Sequence, residues 1–531
     1  MLMDTYFLQQ NLHAHRRFRS IPVIFTLFIL CSSFLNAEVR LPHVLSSHMV
    51  VQRGQPIHIW GWASPGSQIV ITLGSAHGTA IADDLKHWSV YLPPMTAGGP
   101  YALTVDGEGG KITLDDVLVG DVWIASGQSN MEMPLRGFGP QSPVQNGETA
   151  AAQANDAKIR FLTIPRVSSS SPLDDTEATW QVCSPETARE FSAVAYFFVR
   201  EIRSLEKVPI GIVDSSWGGT PGEAWTSMSA LADDANFTPV FKAWSRFMNE
   251  QTDLAEALEK EKREDSAAQA AGAPPPDHPW RPDPMSYAPA GLFNGMIAPL
   301  IRISIKGVIW YQGETNSQLE RAPVYGRLLP AMIGDWRQQW GEGDFPFLYV
   351  QISSFHSNAG EAWGVLRDAQ RRSLSVRNTG MAVTIDIGNP ENVHPADKET
   401  VGHRLAALAE VIAYDKPGNA SGPLFVLSDV EGAGIRVRFS SRDLACKGPC
   451  VGFEIAGEDH HFVAADATVQ GDSVWVSAST IAHPAYVRYA WANAPAVSLF
   501  DSAGLPASTF TNESQLTEQS LIPGSFGQTG P

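Results

Sequence analysis

The chain has 531 residues, 44% of them hydrophobic, so it can bury a large core but is too long for one domain; three or four folding units are expected. A formal net charge of −18 argues against nucleic acid and anionic membrane surfaces as main partners.

Residues 1–37 have the pattern of a signal peptide. Arg16, Arg17 and Arg19 precede an apolar run from Ile21 to Leu30, and small or polar residues follow to Ala37. That run is shorter than the roughly 18–20 residues a membrane span needs. The expectation is export, secreted or periplasmic, with no membrane contact once the segment is cleaved near Ala37–Glu38.

Residues 38–115 read as an N-terminal β-sandwich-like domain. Short β-rich runs at Val50–Gln52, Ile57–Trp62, Gln68–Leu73 and Trp88–Leu92 are separated by turn clusters such as Ser64-Pro-Gly. From 116 to 415 strands alternate with helical patterns, as in an α/β domain with a parallel sheet. The expected strands are Val122–Ser126, Ile159–Thr163, Ile210–Asp214, Ile305–Tyr311, Phe347–Ile352 and Met381–Ile385, with a helix over Ala193–Leu205. Residues 235–290 read as an insertion near the site's rim: a charged helical stretch, then the stiff run Ala273-Pro-Pro-Pro. Pro417-Gly and Ser421-Gly-Pro mark a boundary. A C-terminal β-rich domain follows over 420–511, and 512–531 reads as a disordered tail.

Of four cysteines, Cys31 lies in the signal segment and Cys183 reads as a buried thiol. Cys446 and Cys450 enclose Lys-Gly-Pro, a tight loop that a disulfide can close in an oxidising compartment. As zinc ligands they would need two partners that their neighbourhood does not offer. No metal and no cofactor are expected, and oligomeric state leaves no trace in the sequence.

Four stretches carry chemistry. Val122–Ser126 runs into Gly127-Gln-Ser129, an apolar strand delivering a hydroxyl to its carboxyl end, where open α/β sheets bind ligands. Ser215-Ser-Trp-Gly-Gly219 ends a second strand with a glycine pair whose backbone can approach a ligand closely. Gly307–Asn316 ends a third strand in a polar tip of Gln312, Glu314 and Asn316, with amides suited to an oxyanion. His394-Pro395 precedes a helix carrying Val401, Leu405, Leu408 and Ile412, with Pro395 expected in its first turn. Taken singly, each is more simply a turn, a loop or a structural histidine. Their placement at strand ends and at one helix start favours a shared site.

These stretches resemble the sialate O-acetylesterase family of the SGNH hydrolases. The resemblance also rests on Phe293–Pro299, Asp335-Trp-Arg337, Phe345-Pro-Phe347, Leu41-Pro, Met49–Gln52, Trp60-Gly-Trp, Gly452–Gly457 and Val487–Asn493, so most of residues 40–510 is covered. It implies a flavodoxin-like α/β domain with a parallel sheet, flanked by β-rich regions at both ends, that removes acetyl groups from O-acetylated sugars. It further implies Ser129 as nucleophile and His394 as base, with oxyanion donors from the N–H groups of Ser129 and Gly219 and from a side-chain amide. Gln312, nearer the strand end, is favoured over Asn316 for that amide.

The family places its acid three residues before the histidine, and here that position is Glu391, with Asp386 the alternative. Asn392 stands where close relatives often carry a carboxylate. Glu314 and Arg337 are candidate sugar contacts, with a brace for Trp336 and the sheet the simpler alternative for Arg337; Arg136 and Arg281 are further candidate cations. The sugar stays open between sialate and a polysaccharide such as xylan. A catalytically silent glycan-binding protein is the rival from another class.

Overall fold

The computed structural model describes residues 38–251, 254–276, 278, 281–357 and 360–517, so the expected signal segment and positions 518–531 lie outside it. Six parallel strands form its central sheet: β1 (Gly110–Gly127), β2 (Ile159–Thr163), β3 (Ile210–Ser216), β4 (Gly307–Tyr311), β5 (Phe347–Gln351) and β6 (Thr379–Val383). Their order is β2-β3-β1-β4-β5-β6. The strands are apolar on both faces because helices cover both sides. The chain leaves β1 first toward β3 and later toward β4. That reversal opens a crevice beyond the carboxyl end of β1, the usual ligand position in such sheets.

Seven helices matter here: α1 (Ser129–Glu132), α2 (Ala193–Glu206), α3 (Thr238–Glu250), α4 (Leu254–Ala270), α5 (Ala322–Trp340), α6 (Trp363–Arg372) and α7 (Lys398–Ile412). Helix α7 lies close against α2, because a Cβ on Gly402 would fall 2.6 Å from Cβ of Phe197. Its start differs from expectation. Pro395 precedes the helix, and the cap is Asp397, whose carboxylate accepts from the Thr400 N–H at 2.9 Å. Lys398 thereby becomes the first helical residue. On the other face, Trp310 of β4 meets Trp225 and Trp336 edge-on, with centroids 6.0 and 5.9 Å apart.

Strand β1 is longer than the expected Val122–Ser126. Its first half pairs antiparallel with Gly98–Gly107, and Val50–Gln52 joins it in parallel at Leu118–Gly120. The expected division at 115/116 therefore falls inside a continuous strand. In the 235–290 stretch, α4 buries none of its residues, as its charge implies. Helix α3 is anchored, with Phe247 stacked on Tyr287 at 4.3 Å.

The C-terminal region is β-rich, with strands in three small sheets. Cys446 and Cys450 form a disulfide, and Cys183 is a buried free thiol. Arg367 of α6, wholly buried, docks this region by donating to the carbonyls of Ala490, Ala492 and Asn493. The tail expected from Asn512 is ordered at its start. The Asn512 N–H donates to Val487 O, its side-chain oxygen accepts from Val487 N–H at 2.8 Å, and Glu513 is buried.

Candidate active site

The turn after β1 is built around Gly127. Its φ of +136° and its contact with the neighbouring strand exclude any side chain, since a Cβ would stand 2.1 Å from the Tyr311 carbonyl. This turn carries the chain over the sheet edge into α1 and puts Ser129 at the first helical position, half-buried. Opposite it stands His394, in the loop before α7. Ser129 Oγ and His394 Nε2 are 2.9 Å apart. The ring meets Phe138 edge-on, with centroids 5.2 Å apart.

Burial, then the nearby Lys398 ammonium, push the His394 imidazole down to about 4. The ring is therefore neutral at neutral pH, the form that can accept a serine proton.

Gly218 presses on the serine, with its would-be Cβ 3.2 Å from Cβ of Ser129, and its N–H donates to Glu132 Oε2 at 2.9 Å. Gly219 follows with φ +75°, a left-handed turn that favours glycine. Among the described residues, neither the Ser129 N–H nor the Gly219 N–H makes a hydrogen bond. Glu132 is also ion-paired with Arg166, a half-exposed cation beside the nucleophile's helix. Burial raises the Glu132 carboxyl.

Several expected site residues sit elsewhere. Glu391 does not reach His394, because its exposed carboxylate meets His356 Nδ1 at 3.0 Å. Asp386 is held by both terminal nitrogens of Arg404 at 2.7 Å. Among the described residues no side chain accepts from His394 Nδ1. Asn392 instead accepts from the His394 backbone N–H at 2.9 Å, and its amide donates to Gln141 O and Ser142 Oγ.

Gln312 and Asn316 lie behind the glycine loop rather than facing the serine. Both amide hydrogens of Gln312 are used, on Thr220 O at 3.2 Å and Asn316 Oδ1 at 2.6 Å, while its carbonyl accepts from Tyr325 O–H. Asn316 donates to Glu223 and accepts from Gly222 N–H. These fully buried amides brace the loop that presents Gly219.

Glu314 is buried and accepts from Asn130 Nδ2 at 2.6 Å, so it is an internal group and not a sugar contact. Arg337 is buried at the opposite end of the sheet, where it donates to the carbonyls of Phe345 and Asn378 before β5 and β6. Arg136 and Arg281 are spent on Glu190 and Glu261. Sequence reasoning missed Arg166, Glu132, Asn130 and Lys398. Asn130 and Glu132 stand within the Gly127–Met131 motif or next to it. Lys398 gives no local signal, since a lysine in a helix's first turn is ordinarily solvated.

Comparison with known proteins gives concordant results. The family model described as carbohydrate esterase, sialic acid-specific acetylesterase, matches residues 280–410. The mouse sialate O-acetylesterase is 31% identical over 429 residues, covering 72% of this chain and 75% of that protein. The human sialate O-acetylesterase is 31% identical over 426 residues, covering 72% and 73%. Among solved structures, a carbohydrate acetylesterase from Xanthomonas citri superposes with a TM-score of 0.77 at 37% identity, covering 90% of this chain and all of that one.

Proposed function

The chain belongs to the sialate O-acetylesterase family and is a carboxylic ester hydrolase acting on O-acetylated sugars, and on that premise we propose that it works through a serine acyl-enzyme at Ser129. The observation that carries this reading is the 2.9 Å contact between Ser129 Oγ and a neutral His394 Nε2.

In the proposed course, His394 takes the Ser129 proton as Oγ attacks the acetyl carbonyl. The negative oxygen of the tetrahedral intermediate is met by the N–H groups of Ser129 and Gly219, which have no hydrogen-bond partner among the described residues. Collapse breaks the ester C–O bond, and His394 passes its proton to the departing sugar oxygen. Water, activated by the same imidazole, then cleaves the acetyl-serine and releases acetate. Among the described residues no carboxylate stands behind this general base. Its orientation comes from the Asn392 bond to its backbone and from the Phe138 edge.

The test is hydrolysis of a simple acetyl ester by the full chain beside Ser129→Ala and His394→Ala, each checked for folding. Loss of about 10⁴-fold or more in kcat is expected for both. A folded Ser129→Ala that keeps turnover overturns the reading.

We further propose that the sugar is a sialate, as in the names of the mouse and human relatives, with Arg166 meeting its carboxylate: although paired with Glu132 of α1, its side chain stays 55% exposed beside the nucleophile's helix. Xylan acetate hydrolysed as fast as acetylated sialic acid, and unaffected by Arg166→Ala, would exclude that. Export is proposed from the Arg16–Ala37 pattern and the Cys446–Cys450 disulfide, which suits an oxidising compartment. Sequencing the amino terminus of the mature protein tests it: Glu38 is expected, and an intact Met1 would refute cleavage.

A further inference from the structure

Beneath the Ser129–His394 pair lies a buried polar chain that no step above uses. Asn130, the residue after the nucleophile, is wholly buried. Its side-chain oxygen accepts from Lys398 Nζ at 2.5 Å. One amide hydrogen goes to Glu314 Oε1 at 2.6 Å and the other to Val393 O at 3.0 Å. Lys398 is fully buried and Glu314 nearly so, while Glu314 Oε2 finds no partner among the described residues.

The geometry is directional. Lys398 faces the carbonyl end of the amide and Glu314 its NH₂ end, so rotating the amide by half a turn would set donor against donor and acceptor against acceptor. Burial lowers the Lys398 ammonium to about 7 and raises the Glu314 carboxyl, while each partner favours the other's charged form. Charge-assisted bonds of this kind are stronger than neutral ones. Three separate pieces of chain meet at this one amide: the serine turn, the tip after β4, and the segment running from Val393 through His394 to Lys398.

We propose that Asn130, locked between Lys398 and Glu314, is a positioning residue that fixes the serine turn against the histidine loop. It takes over the orienting task that a carboxylate on the imidazole would otherwise perform. The Ser129–His394 distance depends on how two independent loops approach each other, and Asn130 is bonded to both sides of His394 in sequence, at Val393 and at Lys398. Lys398 adds a second effect: its cation disfavours the imidazolium form of His394. Other charged or titratable groups on the elements meeting here include Glu314 after β4, Glu132 on α1, Asp397 at the cap of α7, Glu399, His403, Arg404 and Glu410 along α7, and the exposed Glu391–His356 pair.

This proposal rests on the Ser129–His394 reading, and Ser129→Ala run alongside separates the two, since activity in that variant sinks the reading itself. Asn130→Ala is expected to lower kcat by ~10²-fold, the effect of an ångström of misplacement, with KM within about twofold of wild type. Lys398→Met, close in shape but uncharged, is expected to move the acid limb of kcat/KM to higher pH, because removing the cation makes His394 easier to protonate. A folded Asn130→Ala with wild-type kcat, or an acid limb unmoved in Lys398→Met, overturns the proposal. If Asn130→Ala does not fold, the Lys398→Met profile decides alone.

Discussion

Glu391 stands three residues before His394, yet its carboxylate turns away to His356 at 3.0 Å and its side chain is 82% exposed. An exposed pair of this kind contributes at most about 1 kcal/mol. Glu391→Gln should therefore keep kcat/KM on an acetyl ester within about fivefold of wild type, the factor such an energy allows. A fall of ~10⁴-fold, the cost of disabling a triad acid, would return the role to Glu391.

The buried histidine sets a pH dependence. His394 is pushed down to about 4, below the ordinary histidine value of 6.5, and the base is active only when neutral. Activity should thus hold as pH falls through 6 and be lost only near 4. A kcat/KM profile on an acetyl ester whose acid limb sits at 6.5 would show that the ring is neither desolvated nor near a cation in the working enzyme.

Gln312 separates two roles. As a brace behind the glycine loop, it leaves Tyr325, Thr220 and Asn316 with unmet partners when changed to leucine. Gln312→Leu should lower stability by about 1–3 kcal/mol, read as a shifted denaturant midpoint. An oxyanion donor would behave differently, with kcat falling ~10²–10³-fold and stability unchanged.

Much of this molecule was legible in the chain. Six strands were expected close to where they occur, because runs such as Ile210–Asp214 and Phe347–Ile352 are apolar on both faces and bounded by turn residues. Ser129, Gly219 and His394 were legible for the same reason: each follows a strand or precedes a helix, so topology alone brings them to one edge. The amides and charges were not. Whether Gln312 faces the serine or the loop behind it depends on Tyr325, Thr220 and Asn316 competing for its hydrogen bonds, and nothing in its own neighbourhood records that. Lys398 was invisible because its burial comes from Asn130 and Glu314, 268 residues and 84 residues away in the chain.

Arg337 offers a further contrast. Its guanidinium holds the carbonyls that lead into β5 and β6, far from the serine. Arg337→Ala should destabilise the fold by about 1–3 kcal/mol and leave KM for an acetylated sugar unchanged. A raised KM with normal thermal stability would restore it as a sugar contact.

Strand β1 carries a last consequence. It begins among the N-terminal strands and ends two residues before the nucleophile. Midway, the buried Asp121 carboxylate is held by Gln52 and by both Nε and a terminal nitrogen of Arg53, while Gln52 Oε1 accepts from Val122 N–H. The N-terminal region is thus no detachable appendage. A recombination event that moved residues 116–415 alone would strand half a β-strand and leave a buried acid with the Tyr414 hydroxyl in place of its cation, so this hydrolase is heritable only with its N-terminal strands attached.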